Sequence, residues 1–198
     1  MTAIYVSGPH GGGKTTLIER LVRDRPDFSA LSFDIDFLRD FTSFKGLQHW
    51  ERCLVRLYHR SYLTTLADSR ATADPGTHLL VSRGIRDSEA YIRAYTKLGW
   101  ITPEQFRDLD FVLRNQAHPV PTVLLVPPLD TVVTRLRGRT RAGVREERDR
   151  VFRHEDTDEF TRLLWEEFAA MEGRDDVLVL RDNDPGAIEQ IRGWASTL

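Results

Sequence analysis

Cysteine is almost missing from this chain: Cys53 stands alone among 198 residues. A single thiol excludes an intrachain disulfide framework and any metal site built from several cysteines. Histidine is also sparse, and its 6 copies never form an H-x-x-x-H pair. Lysine occurs only at positions 14, 45 and 97, so arginine supplies nearly all the positive charge. That bias looks like a GC-rich coding sequence, yet it makes Lys14 stand out. Neither sign of charge dominates. The 28 basic and 30 acidic residues leave a formal net charge of −2, so no global field calls for nucleic acid or a membrane surface. No apolar stretch approaches the roughly 20 residues of a membrane span. The N-terminus enters an apolar run almost at once, which fits no signal peptide, and a cytoplasmic location is expected.

What is present begins at residue 8. Residues 8 to 15 read Gly-Pro-His-Gly-Gly-Gly-Lys-Thr, the pattern G-x-x-x-x-G-K-[ST] of a phosphate-binding P-loop. Such a loop points successive backbone N–H groups at the phosphates of a nucleotide. Lys14 is expected to reach the β- and γ-phosphates, and the Thr15 hydroxyl to hold Mg²⁺. The flanks agree, because Ala3 to Val6 is a short apolar run and Leu17, Ile18, Leu21 and Val22 form one helical stripe. The candidate nucleotide-binding residues are therefore Gly8, His10, Gly11, Gly12, Gly13, Lys14, Thr15 and Thr16. His10 reads as a tolerated position inside a loop that works through its backbone.

The rest of the chain alternates strand and helix. Strands are expected at 30–33, 78–82, 122–126 and 177–180. Helical regions are expected over 37–71 in two or three pieces, then at 88–98, 102–117, 129–136, 156–171 and from 185 onward. Thr102-Pro103-Glu104-Gln105 is a capping box with proline at the first helical position. Strands separated by helices give an α/β fold with a parallel sheet covered on both faces. No repeat, linker or low-complexity tract divides the chain, so a single domain over 1–198 is expected. Cys53 reads as a buried structural thiol. Trp50 and Tyr58 lie on an amphipathic stretch where packing in the core is preferred to lining a pocket, and Trp50 is kept as a candidate substrate residue.

Ligands of such sheets bind beyond the carboxyl ends of the strands, so three segments should meet the P-loop. Asp34 and Asp36 follow strand 2. One is expected to cap the next helix; the other, Asp36, to take the proton of an attacking hydroxyl or help hold Mg²⁺ through water. Arg83 ends strand 3, where it either clamps a phosphate or pairs with Asp87. Arg135, Arg137, Arg139 and Arg141 recur at spacing two around Gly138, the composition of a lid over about 137–147 that closes on a transferring phosphoryl group.

On these residues the chain resembles P-loop kinases of the deoxynucleoside kinase and thymidylate kinase group. Ser82-Arg83-Gly84, with Asp87-Ser88 and Ala90-Tyr91, looks like the D/E-R-x segment after strand 3. Thr134 to Arg141 is similar to the Arg-rich lid, which brings in Arg135. The stretch Leu180 to Pro185 lies where these enzymes place an adenine-contacting loop, which brings in Asn183. The resemblance implies a five-stranded sheet in the order 2-3-1-4-5, ATP as donor, Mg²⁺ as cofactor and dimer formation. Ser82 departs from the group's acid before the arginine, so Asp34, Asp36 or Asp87 would have to replace it. The E-P-x-x-W pattern is absent too. Instead Phe33 to Leu38 is similar to the F-G-V-D-x-L stretch of chloramphenicol phosphotransferase, whose aspartate base falls on Asp36.

The leading expectation is an ATP-dependent kinase acting on a hydroxyl of a small molecule, either a nucleoside or an antibiotic-like alcohol. Lys14, Arg83, Arg139 and Arg141 would stabilise the phosphoryl group, and Asp34, Trp50, Arg83 and Asp87 would contact the acceptor. Asp34, Asp40, Glu51 and Glu89 make the expected acceptor region acidic. A nucleoside monophosphate kinase would need further arginines there, for which Arg39, Arg86 and Arg93 are available. A nucleotide-dependent switch is disfavoured, because no guanine-reading N-K-x-D motif is present and strand 3 ends in Ser82.

Overall fold

The computed structural model describes residues 3–31, 46–73, 76–115, 120–141 and 153–198, without the side chains of 139–141, 153 and 185. Strands β1 (Ala3–Ser7), β2 (Phe28–Ala30), β3 (His78–Ser82), β4 (Thr122–Leu125) and β5 (Val177–Leu180) form one 5-stranded sheet in the order β2-β3-β1-β4-β5. Every neighbouring pair is parallel, as the alternating sequence and the resemblance imply. The helices are α1 (Lys14–Asp24), α2 (His49–Ala73), α3 (Ile85–Lys97), α4 (Pro103–Arg114), α5 (Leu129–Arg141), α6 (Asp158–Ala169) and α7 (Pro185–Ala195). None of these is long and apolar enough to cross a membrane.

Strand alternation sorts the apolar side chains into two cores. Ile4 and Val6 of β1, Leu80 of β3 and Val123 and Leu125 of β4 meet Leu17 and Leu21 of α1 and Ile188 and Ile191 of α7. Ala3, Tyr5, Leu79, Val81 and Leu124 face the other way, onto Cys53 and Leu57 of α2, Tyr91 and Tyr95 of α3, and Phe160 and Phe168 of α6. The register pairs Tyr5 with Val81 and Val6 with Val123. Each buried side chain of this size contributes roughly 1.5–3 kcal/mol. A one-residue slip would carry the whole set to the wrong face, so the register is strongly fixed.

Several boundaries differ from the sequence-based expectation. Strand β2 covers Phe28–Ala30 and so begins two residues earlier than expected, its pairing running from Phe28 opposite His78 to Ala30 opposite Leu80; residues 32–33 of the expected strand lie outside the described residues. Helix α2 is one continuous element of 25 residues, and residues 37–45 of the helical region expected over 37–71 lie outside the described residues. Helix α3 begins at Ile85, three residues earlier than expected, because the Asp87 carboxylate accepts from the Gly84 N–H at 2.9 Å and closes the first turn there. Helix α5 passes through Gly138 to Arg141, so the arginines at spacing two belong to a helix. The capping box at Thr102 is present in both directions, at 3.2 and 2.9 Å. Tyr58 is 64% exposed, which corrects its placement in the core. Trp50 packs against the core, and Cys53 is buried there, its thiol pushed up to about 12 by desolvation, so it is chemically quiet.

Candidate functional site

The loop after β1 turns back under its own strand. Gly8 has φ 143° and Gly13 has φ 100°, conformations that side chains avoid. A Cβ on Gly8 would stand 2.2 Å from the Leu125 carbonyl oxygen at the end of β4, so no other residue fits. Gly13 is the last residue before α1, whose free N–H groups therefore open into the loop. Lys14 is buried, and its Nζ donates to the carbonyls of Gly8 at 2.7 Å and Pro9 at 2.9 Å. Lys14 thus bridges two carbonyls of its own loop, while Thr15 and Thr16 are exposed.

One flank of the loop is formed by α5 and the segment after β5. Arg135 donates to the Gly12 carbonyl at 3.2 Å and lies 3.9 Å from Asp182. A Cβ on Gly13 would meet the Asn183 amide at 3.3 Å, and Arg20 donates to the Asn183 carbonyl. Arg135 and Asn183 are thus together beside the loop. Arg137 pairs with Asp158 at 3.1 Å. Arg139 and Arg141 lie in the last turn of α5, and their side chains and residues 142–147 of the expected lid lie outside the described residues.

The other flank is a cleft of about 350 Å³, open solvent included, lined by His10, Arg56, Arg60, Arg83, Asp87, Ser88 and Tyr91. Arg83 has φ 67°, a left-handed conformation costing a non-glycine residue of order 1–3 kcal/mol, the kind of strain that clusters at working sites. Gly84 follows because a Cβ there would strike the Tyr5 ring at 2.9 Å. The turn aims Arg83 at the loop, where its Nη2 comes within 3.5 Å of His10 Nδ1. The His10 ring also hydrogen-bonds the Tyr91 hydroxyl. Sequence reasoning placed His10 in a loop that works through its backbone; its ring lines this cleft. Asp87 is buried, and its Oδ2 accepts from Ser7 Oγ at 2.6 Å and from the Gly84 N–H. The alternative Arg83–Asp87 pair is therefore not what Asp87 makes; it ties the end of β1 to the start of α3. Asp34 and Asp36 lie outside the described residues.

Behind the cleft runs a buried polar network that the sequence did not reveal. Arg56 meets Glu155 at 2.6 Å, with side-chain exposures of 11% and 4%, and its guanidinium lies 4.8 Å over the Tyr91 ring. The Tyr95 hydroxyl donates to the same carboxylate. Burial alone would raise the Glu155 pKa, but the Arg56 charge and these hydrogen bonds hold it low. His154, against Trp100 and His49, is lowered from 6.5 to about 4, first by burial and then by Arg52, against the pull of Glu155. The unfolded chain takes up this proton near 6.5 and the folded one only near 4, so it binds more protons in that window and stability falls as pH drops through it. Thermal melts between pH 7.5 and 4.5 are expected to show this decline, and His154→Phe to flatten part of it. Parallel profiles for the two proteins would remove His154 from the account.

Of the acidic residues expected around the acceptor, Asp34 and Asp40 lie outside the described residues, and neither Glu51 nor Glu89 lines the cleft. Glu89 faces Arg174 at 2.7 Å, Arg86 at 3.1 Å and Arg93 at 3.3 Å. Burial would raise its pKa, but these guanidiniums hold it at about 2. Glu51 caps the Gln48 N–H at the start of α2. Arg86 and Arg93 are committed to this surface network and do not line the cleft; Trp50 does not line it either. The basic residues that do, Arg56 and Arg60, follow Arg52 at helical i,i+4 spacing. That signal was readable beside the apolar stripe of α2.

Residues 4–160 match the model of a family described as an AAA domain. Among curated proteins no sequence matches significantly. Among solved structures, deoxyadenosine kinase from M. mycoides with products dCMP and a flexible dCDP bound aligns over 100% of both chains, with TM-score 0.69 at 13% identity. The same enzyme with dCTP gives 0.69 at 12% over 100% of both chains. With dATP it gives 0.62 at 12%, covering 99% of this chain and 100% of that one. At such identities the likeness speaks to the fold alone: a five-stranded parallel sheet in the order β2-β3-β1-β4-β5 with helices packed against it.

Proposed function

From a chain that belongs to the AAA domain family and has this fold, we propose an ATP-dependent phosphotransferase that acts on a hydroxyl of a small molecule. The observation that carries the reading is the position of the basic cleft beside the P-loop, with His10 and Arg83 shared between them. A phosphate cradle alone would serve a switch equally well; a second cleft against it gives an acceptor somewhere to sit.

In this reading Lys14 exchanges its loop carbonyls for the β- and γ-phosphates, while Arg135 and Asn183 flank the nucleotide. Arg83, Arg139 and Arg141 balance the charge of the transferring group. Mg²⁺ in such sites is held mainly by phosphate oxygens, water and one or two protein oxygens. The Thr15 hydroxyl suits that role, with Asp36 contributing through water. No group of three or more metal-ligating side chains occurs among the described residues, and this chemistry asks for none.

Asp36 is the base that accepts the hydroxyl proton. Support comes from the cleft itself: Asp87 Oδ2 is occupied by Ser7 and Gly84, and Glu155 by Arg56. The test is ATP consumption with Mg²⁺ against nucleosides, nucleoside monophosphates, aminosugars and hydroxylated antibiotics, with products weighed for one added phosphate. Asp36→Asn is expected to lower kcat about 10²–10⁴-fold while leaving the KM for ATP nearly unchanged. A wild-type rate in that variant would move the base elsewhere. Retained ATP binding without turnover on any acceptor would count against the transferase reading.

A further inference from the structure

Resting on that reading, we infer that the acceptor is an anion: a small molecule that already carries a phosphate or carboxylate, anchored by Arg60 of α2 and Ser88 of α3. The argument starts from charge. Arg56, Arg60 and Arg83 line the cleft, and among the described residues Asp87 is the one acid lining it. Glu155 neutralises Arg56, and Asp87 Oδ2 is taken up by Ser7 and Gly84. Arg60 has no hydrogen-bonding acid among the described residues. Its charged form is weakened to about 10, first by burial and then by repulsion from Arg83, with Asp87 acting in the opposite sense.

A partly desolvated cation without a counter-ion is costly unless a ligand supplies one, and a guanidinium fork matches the two oxygens of a phosphate or carboxylate. Ser88 is an independent sign. It is 4% exposed, lines the same cleft, and its Oγ has no hydrogen-bond partner. Buried hydroxyls are normally satisfied, and an oxygen of an anion held in this cleft would supply the missing partner. A neutral alcohol would leave Arg60 without a hydrogen-bonding acid among the described residues, whereas an anion would complete both groups.

The test compares acceptors in matched pairs with and without the charged group on one hydroxylic scaffold: nucleosides against their 5′-monophosphates, and sugars against their phosphates and their acids. The charged member is expected to have at least a tenfold higher kcat/KM, and the phosphate and acid arms tell the two anions apart. Arg60→Gln is expected to raise KM for the charged acceptor at least tenfold with KM for ATP unchanged. Ser88→Ala, nearly isosteric and safe for folding, is expected to raise it severalfold. Independently of turnover, calorimetry with inorganic phosphate, on protein saturated with a non-hydrolysable ATP analogue and Mg²⁺, should show a site in wild type that Arg60→Gln loses. Preference for the neutral member, or no phosphate site, overturns the inference. If no acceptor of either kind is turned over while the Arg60-dependent phosphate site is present, the transferase reading fails and the anion site stands.

Discussion

Replacing Lys14 with alanine is expected to lower phosphoryl transfer by about 10³-fold, some 4 kcal/mol of transition-state stabilisation. The side chain is buried and donates at 2.7 and 2.9 Å to two loop carbonyls, which it would exchange for the phosphates. Its loss removes the charge that neutralises the phosphates and leaves both carbonyls short of a donor, a stability cost of about 1–3 kcal/mol. Rates with ATP and acceptor, nucleotide binding and a thermal melt separate these effects. A variant that turns over within tenfold of wild type would show that the loop is not where transfer occurs.

The largest effect on stability is expected at Glu155. Glu155→Ala leaves Arg56 charged between the Tyr91 and Tyr95 rings, at 4.8 and 5.9 Å from their centres, with its carboxylate gone. Breaking a buried pair from one side costs about 3–5 kcal/mol. For a chain of this size that is a fall of roughly 10 °C in Tm. Glu155→Gln should fall less, because the hydrogen bonds from Arg56 and Tyr95 can persist. The double variant Arg56→Met/Glu155→Leu is expected to regain much of the loss, since no unpaired charge is left. An alanine variant as stable as wild type would mean that water reaches Arg56 and the pair carries little.

These two sites were not equally visible beforehand. The P-loop is legible because it is local: eight adjacent residues carry the whole device, and the apolar run before it and the stripe after it name the strand and helix. The sheet order was legible through resemblance, and the long strands through composition. β2 was misplaced because Ser29 and Ala30 carry little signal of their own; its limits come from pairing with His78 to Leu80. The basic cleft was hidden for a different reason. Arg56 and Glu155 lie 99 positions apart, and neither has a local pattern that names the other. Glu89 looked like part of an acidic wall because its three arginine partners come from its own helix and from Arg174, which only the fold brings near. Asp36 was read as a candidate base from its place in the sequence after strand 2 and from resemblance, and it lies outside the described residues.

The contact between Gly8 and the Leu125 carbonyl ties the opening residues of the chain to a strand completed much later. Contacts of such sequence separation carry a loop-closure cost and slow the search for the native state. A growing polypeptide therefore has its phosphate-binding motif long before it has the wall against which that motif is shaped. During synthesis, nucleotide capture reports that β4 has docked rather than that the loop has been translated, and the nucleotide rewards only chains whose sheet has closed around β1.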